Sequence, residues 1–258
     1  MRDRLDSLKE CISGQVENIV LFDTTDSTHA LATKIIAGMD DESQNLGSTL
    51  ILANRQDQGQ GRGERTWESP EGGLYMSWLR SGIKATTIAQ LPMLAAVAAH
   101  DAISQIGVPN AGIKWPNDIL VDGRKIAGIL VYARHGESSW VTVGLGVNLS
   151  TMPEFADADA VQATTVAEFV ESDDVETWRH DIVCNFINRL ERLMKDPERG
   201  IEGWRDLLIQ SPGDTVDVRL GSGSMVSGTI VEITEEGFLK IRENGNERVI
   251  TGGDIIES

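Results

Sequence analysis

The chain changes its pattern at Ser211-Pro212-Gly213, and this change constrains the fold more than any other feature of the sequence. Before it, segments with helical spacing alternate with strand-like segments. After it, the chain holds only short strand-like segments, at residues 216–220, 226–233, 238–241 and 248–250. Short strands joined by glycine-rich turns are typical of a small β-barrel. The sequence therefore predicts an α+β domain over residues 1–210, followed by a small β domain over residues 211–258.

The spacing of apolar residues predicts helices and strands in the first part. The first predicted helix contains Leu5, Leu8 and Ile12 and ends at Gly14, and the second is capped by Asp26 or Ser27 and ends at Gly38. The third runs from Pro92 to Ile106, with Gly107 as its stop. The fourth runs from Trp178 to Leu193, with Asp173 or Asp174 near its cap. Strands are predicted at 16–22, 48–53, 74–79, 119–121, 126–131 and 140–149. Asp122-Gly123 is a strong hairpin turn between two of them.

The charge of the chain excludes some classes of partner. Its 40 acidic and 23 basic residues give a formal net charge of −17. A free-standing nucleic-acid binder needs a basic face, and an anionic membrane surface attracts basic segments. We therefore expect no nucleic-acid partner and no membrane partner.

The cysteines and histidines show no metal-binding pattern. Cys11 and Cys184 form no spacing motif, which argues against a disulfide framework and against a cysteine-based zinc site. The four histidines form no HxxxH or HExxH pattern, so no metal site is expected. The polar N-terminus resembles no secretory signal, and no segment reaches the ~18 apolar residues of a membrane span. A cytoplasmic protein is expected.

Residues 55–67 form a polar, glycine-rich stretch that contains Gly59, Gly61 and Arg62. Closely spaced glycines let backbone N–H groups converge on an anion, and arginine adds charge and paired donors. The spacing GxGxG differs from the dinucleotide motif GxGxxG and from the Walker motif. The stretch is therefore either a phosphate- or carboxylate-binding loop or an ordinary surface loop.

Two further segments carry clustered polar residues. Lys114-Trp115-Pro116-Asn117-Asp118 places a cation, an amide and a carboxylate close together, or is simply a turn. Lys125 enters an apolar strand in which Gly128 allows close backbone approach, so it either projects into a pocket or lies at a hairpin rim.

Taken in order, five segments of the chain resemble biotin–protein ligase, the family that attaches biotin to biotin-dependent carboxylases. They are Asp26-Ser27-Thr28-His29, then Gln56 with Gly59, Gly61, Arg62 and Trp67, then residues 114–118 (KWPND), then residues 124–130 (RKIAGIL), and then Gly144, Gly146 and Asn148. The resemblance covers nearly the whole chain. It implies a mixed-sheet catalytic domain of the biotin/lipoate ligase type over residues 1–210 and an SH3-like β-barrel over residues 211–258.

The resemblance implies a two-step, ATP-dependent reaction. Biotin attacks the α-phosphate of ATP and gives biotinyl-5′-AMP and pyrophosphate. A lysine of a biotin carboxyl carrier domain, such as that of acetyl-CoA carboxylase, then attacks the mixed anhydride. Magnesium is expected to arrive with the ATP phosphates. Cations must offset the repulsion between the two anions, and the candidates are Arg62, Lys114 and Lys125.

The resemblance also implies roles for individual residues. Ser27, Thr28, His29 and Gln56 are expected at the ureido end of biotin, where they supply donors and acceptors. The rest of the biotin site is implied to be Gln60, Gly61, Arg62, Trp67, Lys125 and Gly128. The residues implied to contact ATP or the adenylate are Arg62, Arg65, Lys114, Trp115, Asn117, Asp118, Lys125 and Asn148. Asp118 serves either the incoming lysine or a magnesium-bound water, and Asn148 either touches the nucleotide or shapes the site.

The chain departs from the family pattern at three places. The family loop often reads GRGR-x-GR, whereas this chain has Gln60 in place of the first arginine and Gly63-Glu64-Arg65 at its end. His29 stands where asparagine is common, so its contact is expected to be pH-sensitive near a pKa of ~6.5. The first motif begins at Asp26, which leaves too few residues for the DNA-binding domain of some family members, so no repressor role is expected.

Two alternative functions are compatible with the same segments. The first is a lipoate– or octanoate–protein ligase or transferase of the same fold, against which the polar ureido-type set argues. The second is a non-catalytic module that only stores biotin, against which the phosphate-binding cations argue. The sequence does not distinguish a monomer from a homodimer.

Overall fold

A computed structural model describes residues 2–38, 46–63, 65–134, 139–152, 162–172 and 174–256. The helices are α1 (Arg2–Cys11), α2 (Thr28–Ala37), α3 (Ala85–Gln105), α4 (Val175–Lys195) and α5 (Pro197–Asp206), with a 3-10 turn at Val166–Glu168. The first strands are β1 (Asn18–Thr25), β2 (Thr49–Gln56), β3 (Gly73–Ser81), β4 (Ala111–Lys114), β5 (Asp118–Val121), β6 (Arg124–Arg134) and β7 (Trp140–Asn148). The C-terminal strands are β8 (Thr215–Arg219), β9 (Met225–Ile233), β10 (Leu239–Glu243), β11 (Asn246–Ile250) and β12 (Asp254–Ile256).

The first seven strands form one mixed sheet in the order β1-β2-β3-β7-β6-β5-β4. Strands β1 and β2 are parallel, and every other neighbouring pair is antiparallel. The predicted α+β class with a mixed sheet is confirmed. The hairpin prediction is also confirmed, because Asp122 and Gly123 both have positive φ angles, as a two-residue hairpin turn needs.

The two faces of this sheet are covered differently. The larger core lies on the face against which α3 packs, with α4 and α5 packed on α3, and it includes Leu74, Met76 and Trp78 of β3. The opposite face carries α2, whose Ala32 and Ile36 pack in a smaller apolar cluster. Because side chains alternate along a strand, the β3 residues between these core positions face the α2 side, where part of the face is left uncovered.

The predicted helix boundaries are partly confirmed. The Oγ of Ser27 accepts a hydrogen bond from the backbone N–H of Ala30, so Ser27 caps α2, and Asp174 caps α4 in the same way. The alternative cap Asp173 lies outside the described residues. The prediction that a helix begins at Pro92 is wrong, because α3 begins at Ala85 and contains Pro92. Proline costs that helix one hydrogen bond, and burial of Ile88 and Leu91 in the core stabilises the turns before it.

The last five strands form a separate antiparallel sheet in the order β11-β10-β9-β8-β12. The final strand β12 was not predicted from the sequence. It has only three residues after Gly252-Gly253, which is too short for an alternation of apolar and polar residues to be recognised. This sheet contacts the first part directly: Trp115 Nε1 donates to the carbonyl of Gly237 at 2.8 Å. The division of the chain into a catalytic domain over residues 1–210 and a β domain over residues 211–258 stays a prediction.

The two cysteines are bonded to each other. Cys11 and Cys184 form a disulfide with a Cα–Cα distance of 5.8 Å, so the inference against a disulfide framework, drawn from their spacing, is wrong for this pair. They lie 173 residues apart and meet because α1 packs on α4, which spacing cannot reveal. His180 lies beside them, and one ligand atom from each of the three residues falls within 4.8 Å of the others. Both sulfurs are in the disulfide and are therefore not thiolate ligands.

None of the helices in the described part of the chain combines the length and apolar character needed to cross a bilayer.

Candidate active site

A cleft opens on the α2 side of the mixed sheet, where four of the six strand residues that face it are glycine or serine. Tyr75 of β3 pairs with Gly146 of β7, which pairs with Gly128 of β6. The next row along the strands is formed by Ser77, Gly144 and Leu130. Side chains of this size leave room above the sheet for a ligand, and the start of α2, the glycine-rich loop and β12 close the cleft at its sides.

The structure brings most of the predicted site residues into this one cleft. The predicted residues that line it are Ser27, Thr28, His29, Gln56, Gln60, Gly61, Arg62, Arg65, Trp67, Asn117, Asp118, Lys125 and Gly128. They come from segments separated by up to about a hundred residues in the chain, and their convergence is the main finding of the structure.

One end of the cleft is built from neutral side chains that are hydrogen-bonded to each other. Gln56 Oε1 accepts from the N–H of Thr28 at 2.8 Å and from its hydroxyl at 3.1 Å. Ser77 Oγ donates to Thr28 Oγ1 at 3.0 Å, and Gln56 Nε2 donates to Ser69 Oγ at 2.8 Å. This network fixes the amide orientation of Gln56. We refer to Thr28, His29, Gln56 and Ser77 as the neutral end.

His29 completes the neutral end with an atom that has no partner. Its Nδ1 is buried and makes no hydrogen bond with any of the described residues. A Cβ atom on Gly144 would lie 3.0 Å from this nitrogen, so a larger residue at this position would crowd the His29 ring. Burial lowers the pKa of His29 to about 4. The expectation of a switch near 6.5 is therefore wrong, and the ring is neutral at pH 7.

Trp67 lies flat against the centre of the sheet. A Cβ atom on Gly146 would be 2.6 Å from Trp67 Cε2, and one on Gly128 would be 3.0 Å from Trp67 Cζ3. These two glycines therefore provide the surface on which the indole rests. The Trp67 Nε1 is buried without a partner among the described residues, like the nitrogen of His29. Both nitrogens lie on the sheet side of the cleft lining, because a Cβ atom on Gly146 would be 2.7 Å from Trp67 Nε1 and one on Gly144 would be 3.0 Å from His29 Nδ1.

The glycine-rich stretch is folded as a short hairpin rather than as an open loop. Gln60 pairs with Thr66, and the N–H of Trp67 donates to the carbonyl of Gly59 at 2.8 Å. A Cβ atom on Gly59 would lie 2.2 Å from the carbonyl oxygen of Trp67, so this turn requires glycine. The hairpin carries Arg62 at its tip and directs it back over the cleft.

The other end of the cleft is charged, and we call Arg62, Arg65, Lys125, Asp118 and Asp254 the charged end. Lys125 Nζ lies 2.7 Å from Asp118 Oδ2, and both side chains are about one-fifth exposed. The same ammonium lies 5.2 Å from the centre of the Trp67 ring, within range of a cation–π contact. Lys125 therefore lies where the charged end meets the Trp67 ring at the centre of the sheet.

Arg62 and Arg65 meet a carboxylate from the C-terminal sheet. Arg62 donates to Asp254 Oδ1 and to the carbonyl of Gly253, and its Nη1 lies 3.2 Å from Asn117 Oδ1. Arg65 Nη2 lies 2.7 Å from Asp254 Oδ2. Each cleft-lining cation among the described residues therefore has an acidic partner.

Comparisons with known proteins agree with this geometry. A family model described as the biotin/lipoate A/B protein ligase family matches residues 21–148. The bifunctional ligase/repressor BirA of Bacillus subtilis (strain 168) is 30% identical over 255 residues, which cover 96% of this chain and 76% of that protein. The chain belongs to the biotin/lipoate A/B protein ligase family.

Two further similarities extend this result. The biotin–[acetyl-CoA-carboxylase] ligase of Paracoccus denitrificans is 41% identical over 143 residues, 54% of this chain and 56% of that protein. A biotin protein ligase from Aquifex aeolicus, solved in complex with biotin and ATP, has the same fold with a TM-score of 0.70 at 24% identity. That match covers 93% of this chain and 97% of the other, so it includes the C-terminal sheet, as the predicted SH3-like domain requires.

Three residues that the family resemblance assigns to the nucleotide lie outside the cleft lining. Lys114 and Trp115 are buried beneath the site, and Trp115 contacts the C-terminal sheet. Asn148 is buried behind Lys125, where its Nδ2 donates to the carbonyls of Lys125 at 3.3 Å and Thr164 at 3.1 Å. Of the two roles open for Asn148, this position favours shaping the site.

The structure also adds residues that sequence reasoning missed. Tyr75, Ser77 and Leu130 line the cleft from strand positions that alternate with core residues. This alternation is visible in the sequence of β3 and β6 and could have identified them. Burial raises the pKa of Tyr75, whose hydroxyl donates to the carbonyl of Pro70 at 2.7 Å. Asp254 lies 192 residues from Arg62 and left no local signal.

Proposed function

We propose that the protein is an ATP-dependent biotin ligase that activates biotin as biotinyl-5′-AMP and transfers it to one lysine of a biotin carboxyl carrier domain. The observation that carries this proposal is the joining of a neutral hydrogen-bonding end and a charged end in one cleft, with Lys125 between them. Biotin has a neutral ureido head and an anionic tail, and ATP is a polyanion. The two ends of the cleft match these chemistries in order.

The neutral end would hold the ureido group. A urea offers two N–H donors and one carbonyl acceptor, so a buried site must supply both kinds of partner. The neutral end provides acceptor oxygens on Thr28 and Ser77, and the neutral imidazole of His29 adds one N–H donor and one acceptor nitrogen. Trp67 would cover the apolar ring of the ligand from the sheet side. Lipoate and octanoate have no ureido group that would use these hydrogen-bonding partners. The neutral end therefore favours a biotin ligase over a lipoate or octanoate ligase.

The charged end would bring the two reacting anions together. The biotin carboxylate and the α-phosphate repel each other, and charge grows on the phosphoryl oxygens as the new bond forms. Lys125 is placed to contact the carboxylate at the junction of the two ends, and Arg62 is placed above it on the hairpin. Asn148 would act as a positioning residue through the Lys125 carbonyl. Lys114 is buried and does not line the cleft, so any effect of Lys114 on the nucleotide would be indirect, through the residues that it supports.

In the second step the neutral amine of the acceptor lysine would attack the acyl carbon of the mixed anhydride, which forms the amide and releases AMP. Asp118 lies 2.7 Å from Lys125 and is the carboxylate nearest to the junction, so it would orient the incoming amine once Lys125 turns to the ligand. The acceptor would be a biotin carboxyl carrier domain. We expect no nucleic-acid or membrane partner, because a net charge of −17 opposes both.

Magnesium would belong to the nucleotide rather than to a protein cage. The carboxylates among the described cleft-lining residues are Asp118 and Asp254, and each is paired with a basic side chain. Magnesium commonly binds through substrate phosphates with few protein ligands, so this donor set fits an ion that enters with ATP and neutralises part of its charge.

The proposal is tested with purified protein, ATP, magnesium, biotin and an isolated carrier domain. We expect the intact mass of the carrier domain to rise by one biotinyl group, and no change when its acceptor lysine is replaced by arginine. An unmodified carrier domain, or one modified equally well with lipoate in place of biotin, would contradict the proposal. Sedimentation of the same sample separates monomer from homodimer, and cell fractionation tests the predicted cytoplasmic location.

A further inference from the structure

Asp254 is the contact through which the C-terminal sheet reaches the catalytic cleft. It is the first residue of β12, which pairs with β8 at the edge of its sheet. Its two carboxylate oxygens are divided between two arginines of the glycine-rich hairpin, Oδ1 toward Arg62 and Oδ2 toward Arg65. The side chain is about one-quarter exposed, so these ion pairs are only partly screened by water.

The backbone before Asp254 adds to the same contact. Gly253 has a φ of +154°, and a Cβ atom there would lie 2.8 Å from the carbonyl oxygen of Arg219. This conformation turns the carbonyl of Gly253 toward Arg62, which donates to it. Carbonyl and carboxylate thus occupy guanidinium donors that face the cleft.

These are the donors that the anionic substrates need. A guanidinium binds a carboxylate or a phosphate through the same fork of N–H groups, so Arg62 cannot hold Asp254 and a phosphate at once in the same geometry. A phosphate group beside Asp254 would also be repelled by it. Binding of the nucleotide therefore requires the carboxylate of Asp254 to give up the arginines.

We propose that Asp254 is a positioning residue that holds the hairpin arginines in the free enzyme and is displaced from them by the phosphates of the nucleotide. The inference rests on the proposed function and deepens it. It assigns to the C-terminal sheet a direct part in nucleotide binding: the ion pairs keep Arg62 and Arg65 over the cleft before substrate arrives, and their exchange for phosphate releases the hairpin from β12.

The test compares Asp254→Asn with Asp254→Glu and with a matched control, Glu247→Gln. Glu247 is on β11 of the same sheet and pairs with Lys240 at 2.9 Å and Arg242 at 3.0 Å, away from the cleft, so its variant removes the same charge elsewhere. The readouts are KM for ATP and KM for biotin in biotin-dependent pyrophosphate exchange. Calorimetric binding of inorganic tripolyphosphate gives a measure that needs no turnover, and hydrogen exchange reports on residues 59–67.

We expect Asp254→Asn to lower KM for ATP about two- to fivefold, the range of a partly exposed ion pair, and to change KM for biotin less. The same variant should bind tripolyphosphate more tightly and should exchange hydrogen faster in residues 59–67 without ligand. Asp254→Glu should restore the wild-type values, and Glu247→Gln should match the wild type.

An unchanged or higher KM for ATP in Asp254→Asn would overturn the inference, and so would an equal effect of Glu247→Gln. These outcomes are separate from a failure of the proposed function. If the wild-type protein shows no biotin-dependent exchange, the proposed function fails, while tripolyphosphate binding and hydrogen exchange still decide whether Asp254 competes with phosphate for the arginines.

Discussion

The neutral end and the charged end of the cleft are held together by different kinds of interaction. At the neutral end, Thr28, Gln56 and Ser77 bond to each other, and this arrangement can persist when a ligand arrives. At the charged end, the basic side chains are paired with Asp118 and Asp254, and these partners must be exchanged for the ligand. Recognition is therefore preformed at one end and competitive at the other.

This difference has a physical cause. A neutral polar group can share one network with a ligand because hydroxyls and amides both donate and accept. A buried or half-buried cation only donates, so it lowers its energy by pairing with a nearby carboxylate. Substitutions at the neutral end should change the affinity for biotin, whereas substitutions at the charged end should change the chemistry and the affinity for ATP.

The largest expected effect comes from removing the cation at the junction of the two ends. Lys125→Ala should lower biotin-dependent pyrophosphate exchange by about 100-fold or more, the usual loss when one group that stabilises developing charge is removed. The measurement is the exchange rate at saturating substrates, with circular dichroism to show that the fold is intact. The control is Lys240→Ala, a lysine of the C-terminal sheet that pairs with Glu247. A wild-type rate in Lys125→Ala would remove this residue from the mechanism.

The next effect tests the surface under the indole. Gly146→Ala would place a methyl group 2.6 Å from Trp67 and force the ring off the sheet. Overpacking of this kind costs about 1–3 kcal/mol, so KM for biotin should rise at least about fivefold. Gly203→Ala is the control, because a Cβ atom there meets no atom within 4 Å. Equal values of KM for the two variants would show that Trp67 does not shape the biotin site.

A smaller effect is expected within the neutral network. Thr28→Val removes the hydroxyl that lies between Ser77 and Gln56, and a buried hydrogen bond contributes about 1 kcal/mol, so KM for biotin should rise about fivefold while KM for ATP stays the same. Thr33→Val, on the same helix, is the matched control, since Thr33 Oγ1 is buried without a partner among the described residues. A parallel rise of both KM values would mean that the two ends are not separate.

The smallest effect concerns pH. Because burial lowers the pKa of His29 to about 4, its ring stays neutral in the folded protein between pH 5.5 and 8. His29 should therefore add no pH dependence to KM for biotin in that range. In the unfolded chain the pKa of His29 returns to about 6.5. As the pH falls, the unfolded state therefore takes up this proton before the folded state does. The free energy of unfolding falls as the pH drops from 6.5 toward 4.

Denaturant titrations of the wild type and of His29→Gln between pH 7 and 4.5 measure this contribution. The acid-side loss of stability should be smaller in the variant. An equal loss in both proteins would show that His29 is not buried in its neutral form.

The sequence was sufficient where the signal is local. Asp122-Gly123 specifies a hairpin through the φ angles that its residues tolerate, and Ser27 specifies a helix start through one hydrogen bond. The family resemblance then identified most of the cleft, because its motifs are short and contiguous. The neutral end, formed by neighbouring motifs, could be predicted almost completely.

The charged end could be predicted only in part, because it depends on contacts between distant segments. Asp254 contacts Arg62, from which it is separated by 192 residues in the sequence, and the disulfide joins two cysteines that are 173 residues apart. The start of α3 was missed for a related reason, since burial of Ile88 outweighs the preference of Pro92 for a first turn. Packing between elements decided each of these features, and no pattern within one element contains that information.

The most direct test of the account is pyrophosphate exchange into ATP by the purified protein with magnesium, adding biotin, lipoate or octanoate in turn. We expect exchange with biotin and none with the two acids that have no ureido head. Exchange with lipoate or octanoate, or an absence of exchange with all three, would contradict the assignment of the neutral end to biotin.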